Sequence, residues 1–304
     1  SQKGFKVKII DANVRFFRWM LKEMEIDVKN SENMTNPVKF LDLYNHLEED
    51  LAEKCQEYRH LQIGLRNISM EFNRVEFESV LASLEDRAAN PFIDFYENLI
   101  LDELVRLNPV IIGINISFQD QIIAAFTLAN LIRNKIPDTK IVLGGQMVTR
   151  CYDTMLENDV LNHLWDYLVC WDGELPLLDL HEQLIRKSSC SLQNVIENGA
   201  GSRKIDRNSH AFDLNLLEHP DFADLDYNEY LFPMMMIPLQ TARGCYGSCE
   251  FCAIPAGSNS GFRERAVGKI IADILTIQQH TIEKYGKKAT YFKLMDDTSS
   301  PGTL

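Results

Sequence analysis

The most constraining feature of the sequence is an alternation of short apolar runs with longer amphipathic segments in the middle of the chain. PVIIGINISF (109–118) is rich in Ile and is followed by an amphipathic stretch (121–134) and a second apolar run, KIVLGGQ (140–146). The same order recurs with YLVCW (167–171) and an amphipathic stretch (175–185). Such apolar runs are typical of strands buried on both faces of a parallel sheet, and the stretches between them have helical periodicity. We therefore predict a doubly wound α/β domain.

Upstream of this alternation the sequence predicts mostly helices. Residues 5–10 form a short β-like run, and from about 14 to 106 several segments space their apolar residues by three and four positions. The predicted helices cover 38–52, 76–88 and 92–107. Asn90 and Pro91 favour the start of the last helix, as its cap residue and its first-turn proline. The prediction is thus an α/β domain over 1–185 with a helical insertion over about 14–106.

The sequence downstream changes character twice. Residues 186–233 are polar and punctuated by Asn-Gly, Gly-Ser and His-Pro pairs, which predicts a linker. MMMIPLQTARGC (234–245) is then predicted to be a strand, 267–285 a helix and 289–297 another strand. This order predicts the beginning of a second βαβ series over 234–304.

Charge and hydropathy narrow the classes of partner. The chain has 304 residues and a formal net charge of −13. Sequence-independent binding to nucleic acid or to an anionic membrane needs a basic field, so neither partner is expected. No run approaches the ~18 apolar residues of a membrane span, and the N-terminal SQKGFKVKII lacks the hydrophobic region of a signal peptide. We expect a soluble, cytoplasmic protein.

Four of the seven cysteines are scattered through the first 200 residues. They are Cys55, Cys151, Cys170 and Cys190, and several have apolar neighbours, as in Tyr-Leu-Val-Cys170-Trp. We expect them to be small buried side chains of a protein in a reducing compartment.

The other three, Cys245, Cys249 and Cys252, stand within eight residues and allow three interpretations. A structural zinc site wants four ligands and would need a distant His219 or His280. A disulfide would leave one thiol over. An iron–sulfur cubane held by three thiolates would keep one iron open for a small molecule.

The loop ARGCYGSCEFCAIP (242–255) resembles the radical S-adenosylmethionine (SAM) superfamily, because Cys-x3-Cys-x2-Cys follows a strand and Phe251 precedes the last cysteine. The resemblance implies that Cys245, Cys249 and Cys252 hold a [4Fe-4S] cluster. SAM would bind the open iron and would be cleaved to a 5′-deoxyadenosyl radical.

The same resemblance assigns residues to SAM. The adenine would rest near Phe251 and Ala253, and Asp296 and Asp297 would lie near the SAM amino group. A turn or a helix cap is the alternative role for the two aspartates. Arg263 and Arg265 are either surface charges or SAM contacts.

The segments from Val110 to Thr149 and from Val169 to Leu184 resemble the cobalamin-binding domain found in one branch of that superfamily. The flanks PDFADLDYNEY (220–230) and FRERAVGKIIADI (262–274) resemble the same branch. Where the family usually has Gly-Glu-Gly-Glu, this chain has Trp171-Asp172 in place of the first two residues.

Cobalamin is expected at the carboxyl ends of the strands, at a topological switch point, where glycines allow a planar ring to approach the backbone. The expected contacts are Ser117, Phe118, Gly144, Gly145, Gly173 and Glu174. Domains that place a protein imidazole on the cobalt carry Asp-x-His-x-x-Gly, and residues 11–16 contain no histidine. We therefore expect cobalt without a histidine ligand from this domain.

The combined resemblance implies methyl transfer from methylcobalamin to an unactivated carbon of a peptide or another natural product. A radical rearrangement or cyclisation with the same cofactors is the alternative. The expected partners are a small-molecule or peptide substrate and an electron donor such as flavodoxin or ferredoxin.

Only two strands of the second βαβ series are present, whereas a barrel of this family has several more βα units. The chain is therefore expected to be an inactive fragment or a truncated homologue that binds cobalamin or the cluster in support of another chain.

Overall fold

The computed structural model describes residues 4–21, 36–188, 192–199, 212–230, 235–254 and 261–298. The chain divides into two compact units. The first, called the sheet unit, comprises Cys55–Phe212 and Gly244–Phe262, and the second, called the βαβ unit, comprises Ser1–Lys54, Asp213–Arg243 and Arg263–Leu304.

Helices and strands alternate through the described residues. The helices are α1 (Ala12–Met20), α2 (Pro37–Cys55), α3 (Phe77–Ser83), α4 (Pro91–Leu99), α5 (Leu101–Leu107), α6 (Ile122–Lys135), α7 (Gln146–Glu157), α8 (Glu174–Arg186) and α9 (Val267–Tyr285). The strands are β1 (Gln62–Ile63), β2 (Ile68–Ser69), β3 (Ile111–Asn115), β4 (Lys140–Gly144), β5 (Tyr167–Val169), β6 (Val195–Glu197), β7 (Met236–Leu239), β8 (Ala242–Arg243), β9 (Arg263–Glu264) and β10 (Tyr291–Leu294).

The sheet unit is built on a four-stranded sheet of order β3-β4-β5-β6. The first three strands are parallel, as predicted, and β6 is antiparallel to β5. The pairing places Asn115 beside Gly144 and Gly144 beside Val169. The carboxyl ends of the three parallel strands therefore meet at one edge of the sheet.

Both faces of the central strands are covered. On one face, Leu180 of α8 packs with Val142, Tyr167, Val169 and Val195. The alternate residues of the same strands point to the other face, where α7 lies against β4 and β5. Those residues (Ile141, Leu143 and Leu168) are fully buried. Helices on both faces of a mainly parallel sheet give the α/β class that the sequence predicted.

Two details of the predicted sheet are wrong. The first strand, β3, is an edge strand, so Gly113 and Asn115 are exposed instead of buried between two layers. The parallel strands are also added in one direction, because each crossover leads to the adjacent position. The described sheet consequently has no topological switch point of the predicted kind.

In the described part of the predicted helical insertion, most residues are helical, and β1 and β2 form one small hairpin. Asn90 caps α4 as predicted, since its side chain accepts the Phe92 N–H at 3.1 Å, and Pro91 occupies the first turn. The single helix predicted over 92–107 is wrong: α4 ends at Leu99, and α5 begins at Leu101.

The βαβ unit contains β7 and β10, which pair in parallel from Met236–Tyr291 to Leu239–Leu294. The helix between them, α9, packs Ile277 against Ile237 and Ala289. It begins and ends where the sequence predicted. Gly286 ends it in the left-handed conformation (φ 65°) and donates its N–H to the Ile282 carbonyl.

Two further predictions are corrected. Residues 5–10 are irregular instead of a strand, and the Ile9 N–H donates to the Asp224 carboxylate at 2.8 Å. A strand within 186–233 was missed, because β6 has three residues and its place depends on pairing with β5. The predicted division of the chain into 1–185, 186–233 and 234–304 stays a prediction.

Among the helices of the described ranges, none combines the length and the hydrophobicity that crossing a bilayer requires.

Candidate functional site

The three clustered cysteines lie on the loop between β8 and β9, within its described residues 244–254. These two strands pair antiparallel, Ala242 with Glu264 and Arg243 with Arg263, so the two ends of the loop are fixed together. Within the loop, the ring of Tyr246 meets that of Phe262 edge-on, with the centroids 5.7 Å apart. The β8–β9 pairing and the contact between Tyr246 and Phe262 therefore hold the two ends of the loop close to each other.

Gly247 lies close to two of the sulfurs. The Cys245 and Cys249 Sγ atoms are 3.4 and 3.7 Å from the position that a Cβ would take on this glycine. The Gly247 N–H also donates to the Cys245 sulfur at 3.2 Å. Hydrogen bonds to sulfur tune iron–sulfur centres, and a residue without a side chain leaves the space between the sulfurs open. The structure thus brings the sulfurs of Cys245 and Cys249 close to the same glycine.

Cys252 is placed by the backbone, since its N–H donates to the Cys249 carbonyl at 3.1 Å. The described residues hold no group of three His, Cys, Asp or Glu side chains arranged around one metal ion. A four-iron cubane has a different requirement, because each thiolate binds a different iron and the sulfurs need not converge on one point. Three free thiols, exposed or partly exposed on one loop, are a donor set that suits such a cluster.

The residues that the resemblance assigned to adenine are on the same loop. Phe251 is 93% exposed and Ala253 is also exposed. A nearly fully exposed phenylalanine is an apolar surface available to a flat ring.

Asp296 lies at the end of β10 and holds the turn that leads into the loop. Its carboxylate accepts the N–H groups of Thr241 and Ala242 at 2.7 and 2.9 Å, and also the Thr241 hydroxyl. Both carboxylate oxygens are therefore engaged with the chain at the start of β8. Asp297, next to it, is exposed. The assignment of both aspartates to SAM stays a prediction.

Arg265 follows β9 and is not a surface charge, since its side chain is 3% exposed. Its Nη1 lies 2.5 Å from the Asp273 carboxylate and 3.2 Å from the Gln240 carbonyl. On the other side of Asp273, His219 Nδ1 is 2.7 Å from the second carboxylate oxygen. A buried carboxylate thus links Arg265, α9 and the segment before β7.

The residues predicted for cobalamin meet at the carboxyl edge of the sheet. Ser117 and Phe118 follow β3, and both of their N–H groups donate to the Gln121 side chain, at 2.8 and 3.0 Å. The Phe118 side chain is largely exposed. Gly144 and Gly145 follow on β4, and Gly173 and Glu174 follow β5 at the start of α8. The sheet therefore brings all six residues to the same edge.

The two glycines after β4 have different surroundings. A Cβ on Gly144 would lie 3.5 Å from the Val169 carbonyl oxygen, an ordinary contact. Gly145 has φ 101°, and a Cβ there would lie 2.4 Å from Asn115 Oδ1 and 2.6 Å from the Ile116 carbonyl oxygen. Gly145 is thus required by the packing of the chain itself.

Trp171 has φ 57°, a left-handed conformation that favours glycine. This is the position at which the sequence departs from the Gly-Glu-Gly-Glu of the resembled family. The Trp171 N–H donates to the Thr149 hydroxyl at 2.9 Å, and its ring lies edge-on to Tyr152. These contacts hold a bulky residue where a glycine would fit without strain.

The scattered cysteines are largely as expected. Cys55 and Cys170 are buried and free, and Cys151 is partly buried. Burial raises the pKa of all three thiols, that of Cys170 to about 12, so they are unreactive at neutral pH. Cys190 lies outside the described residues.

Sequence analysis assigned no role to Gly247, Thr241 or Asp273. The buried position of Asp273 could have been predicted, because it stands four residues before Ile277 on the same face of α9. A buried carboxylate needs a partner. The contacts of Gly247 and Thr241 depend on loop geometry and on a residue 55 positions away, for which the local pattern has no signature.

No protein-family model matches the chain, and no curated protein sequence does. Solved structures do match. One is the radical S-adenosylmethionine methyltransferase TsrM from Kitasatospora setae with tryptophan substrate and a SAM analogue (aza-SAM) bound, with a TM-score of 0.52 at 15% identity. Another is TsrM from the same organism with cobalamin and a [4Fe-4S] cluster bound, with a TM-score of 0.54 at 16% identity.

The matches cover 67% and 72% of this chain, but 41% and 45% of the TsrM chains. The chain therefore spans less than half the length of these structures. At this level of identity the likeness concerns the fold.

Proposed function

We propose that this chain belongs to a cobalamin-dependent radical SAM methyltransferase that acts on an unactivated carbon. The observation that carries the proposal is that both candidate cofactor sites lie in the sheet unit. One compact unit holds both the loop with the three free thiols and the sheet edge with the residues expected to bind cobalamin. The fold likeness to a methyltransferase structure with both cofactors bound supports the same conclusion.

The residues that would hold the cofactors have distinct tasks. Cys245, Cys249 and Cys252 would supply thiolates, and the Gly247 N–H would stabilise the charge on the Cys245 sulfur. Gly144 and Gly173 would give a flat ring access to the backbone, beside the exposed Phe118. Asp296 would hold the entry to the loop in position through Thr241 and Ala242. The chemistry that the bound groups would supply, by the family resemblance, is one-electron cleavage of SAM and delivery of a methyl group.

The thiolate assignment is tested by anaerobic reconstitution followed by iron, sulfide and zinc analysis and electron paramagnetic resonance of the reduced protein. We expect about four irons per chain and a spectrum that changes when SAM is added, because one iron is open. Cys249→Ser should remove most of the iron. Cys151→Ser is the matched control, a free thiol outside the loop, and should leave it unchanged. Stoichiometric zinc without iron would refute the cluster.

The cobalamin assignment needs a variant that leaves the fold intact. Gly145→Leu does not meet this need, because any side chain there would collide with Asn115 and Ile116. Gly173 has φ −87°, which any residue adopts, and a Cβ there would be 3.6 Å from Val169 Cγ1. Gly173→Leu should abolish cobalamin binding measured by absorbance titration. Gly113→Leu, with open space in the middle of β3, should not.

Activity is tested by incubating the reconstituted chain with SAM, methylcobalamin, a reductant and a pool of candidate substrates. We expect release of 5′-deoxyadenosine without a methylated product. The reason is that the chain spans less than half the length of the methyltransferase structures it matches, so residues that position the substrate would be missing. A rearranged or cyclised product would favour the alternative chemistry. Cofactor binding without any SAM cleavage would favour a non-catalytic role.

A further inference from the structure

The sheet of the sheet unit has an open edge at β3. This strand is the terminal one in the order β3-β4-β5-β6, and among the described strands only β4 pairs with it. Gly113 and Asn115 are exposed, and a Cβ on Gly113 would have no atom within 4 Å. An unpaired edge strand offers its main-chain groups to another strand. Proteins commonly block such an edge with charged residues or proline, and β3 contains neither.

The hydrogen bonds between β3 and β4 indicate which main-chain groups face outward. At the end of β3, Ile116 donates its N–H to the Gly144 carbonyl at 2.8 Å, so the even-numbered residues face β4. The N–H and C=O groups of the odd-numbered residues therefore point away from the sheet. These residues are Ile111, Gly113 and Asn115, and no main-chain partner for them is found in the described ranges. The edge thus presents a regular row of donors and acceptors.

The outward residues are spaced evenly around Gly113, which makes the edge complementary to itself. If two copies of β3 lie antiparallel with their Gly113 residues opposite each other, Ile111 of one copy faces Asn115 of the other. Residues that face each other in such a ladder exchange two hydrogen bonds, so every outward group of both copies has a partner. Gly113 has no side chain to obstruct the centre of this two-fold contact.

The charges around β3 favour a second copy as the partner. Residues 107–119 include no ionisable side chain, although the chain has a net charge of −13. Arg106 precedes this stretch and Asp120 follows it, each seven positions from Gly113. An antiparallel contact would bring the basic end of one copy to the acidic end of the other, whereas a parallel contact would place like charges side by side. Both side chains are accessible, since Arg106 is exposed and Asp120, which also pairs with Arg74, is 41% exposed.

Apolar side chains next to the edge would add to the contact. Val105, Leu107 and Val110 lie in the segment that leads into β3, and all three are exposed. Exposed apolar groups that cluster beside an open edge are typical of an interaction surface. A second copy would remove part of this area from water, which favours association.

We propose that β3 is a dimerisation strand. Two copies of this chain pair through antiparallel β3 strands centred on Gly113 and join their sheets into one. Because the strands run in opposite directions, the carboxyl edges of the two sheets point away from each other, and the two candidate cobalamin sites stay apart. The contact consists of main-chain hydrogen bonds and needs no cofactor, so it does not depend on the proposed function.

The test is sedimentation velocity of the full chain over an about hundredfold range of protein concentration. A reductant prevents cross-linking of the free thiols. We expect a monomer at low concentration and a dimer at high concentration. Hydrogen exchange of the amides at 111, 113 and 115 should slow as the dimer forms, because these N–H groups gain acceptors.

Two substitutions of Gly113 separate the main-chain contact from other modes of association. Gly113→Pro should abolish the dimer, because proline lacks the outward N–H and is tolerated on the solvent side of an edge strand. Gly113→Ala is the matched control. It keeps the N–H, its Cβ enters open space, and it should still dimerise.

A charge substitution tests the antiparallel orientation. Arg106→Glu would place a carboxylate next to Asp120 of the other copy and should weaken dimerisation about fivefold or more. Arg150→Glu, on the exposed face of α7, changes the net charge equally and should leave the dimer unchanged.

Circular dichroism checks that each variant is folded, and Arg106→Glu carries the test if Gly113→Pro does not fold. A monomer at every concentration would overturn the proposal, as would a dimer that either folded variant leaves unchanged. A monomer whose amides at 111, 113 and 115 are already protected would also overturn it, because another segment of the same chain would then cover the edge.

Discussion

The two parallel strand systems of this protein differ in how completely they are covered. In the sheet unit, β4 and β5 are buried on both faces, and the apolar side chains of the two strands lie in closed layers. In the βαβ unit, β7 and β10 bury one face against α9, while Met236 and Tyr291 of the other face, and Leu294 at the end of β10, are exposed. Similar apolar strands therefore contribute differently to the free energy of unfolding in the two units, since only apolar area removed from water is stabilising.

The difference also changes what holds each system in place. The sheet unit relies on interdigitated apolar side chains. The βαβ unit has a small apolar core around Ile237, and polar contacts of buried Asp273 and of Asp296 fix its strand ends. We expect the first unit to be sensitive to loss of volume and the second to loss of hydrogen-bond partners.

A matched pair of leucines gives the largest expected difference. Leu168 of β5 is 0% exposed and Leu294 of β10 is 55% exposed. Leu168→Ala should lower the free energy of unfolding by about 2–5 kcal/mol, because it removes buried methyl groups and leaves a cavity. Leu294→Ala should change it by less than about 0.5 kcal/mol. Hydrogen exchange measured separately on peptides of each unit checks both values. Equal effects would mean that the Leu294 side chain is covered in solution.

A pair of glycines tests how tightly the sheet edge is packed. Gly145→Ala should cost about 1–3 kcal/mol, because the residue has positive φ and the new Cβ would meet Asn115 and Ile116. Gly144→Ala should be near neutral, since its Cβ would make an ordinary contact with Val169. Urea unfolding followed by circular dichroism gives both numbers. A larger cost at Gly144 than at Gly145 would contradict this account of the edge.

An element could be predicted from the sequence where its pattern is local, and it was missed where it depends on contacts between residues far apart in sequence. β4, β5 and α9 were predicted because their patterns are local: continuous apolar runs in the strands and helical periodicity in the helix. The strand β6 was missed, because three residues carry no periodicity and only pairing with β5 makes them a strand. The break at Ile100 interrupts a helical pattern that is continuous in the sequence.

The candidate site follows the same rule. The spacing of the three cysteines is visible in the sequence, whereas the closeness of Gly247 to two of the sulfurs depends on how the loop folds. Asp296 was assigned to a ligand by resemblance, and its contacts with Thr241 come from a pairing of strand ends far apart in sequence. The residue types of a site can thus be predicted from a motif, but the partners that position them require the fold.

Asp296 tests the reliance of the βαβ unit on polar contacts. Asp296→Ala should cost about 1–3 kcal/mol, because it leaves the partly buried N–H groups of Thr241 and Ala242 without their acceptor. Asp297→Ala, at the exposed neighbouring position, is the control and should have little effect. Hydrogen exchange of the amides at 241 and 242 is the measurement, and the iron content after reconstitution reports on the loop. Unchanged protection in Asp296→Ala would show that the turn is held by other contacts.

The smallest expected effect concerns two aspartates, one in each unit, and the pH dependence of the free energy of unfolding. Burial alone would raise the pKa of Asp166, but hydrogen bonds from the Ile141 N–H, Arg133 and Lys140 outweigh it and hold that pKa below its usual range. The Ile9 N–H, and then Lys8, lower the pKa of Asp224 in the βαβ unit.

A carboxyl group whose pKa is lowered by folding stabilises the protein above the pKa of the unfolded chain, about 4. That contribution is lost as the pH falls through the lower pKa of the folded state. Asp166→Asn and Asp224→Asn should therefore each flatten the loss of stability below about pH 4, measured by urea unfolding over a pH series. The change should be larger for Asp166, because Asp224 is more exposed and its ion pair with Lys8 is screened by salt. Asp138→Asn, in an exposed turn, corrects for the loss of one negative charge. An equal or larger change for Asp224 would show that polar contacts contribute no less to stability in the βαβ unit than in the sheet unit. The two units would then differ only in how much apolar area they bury.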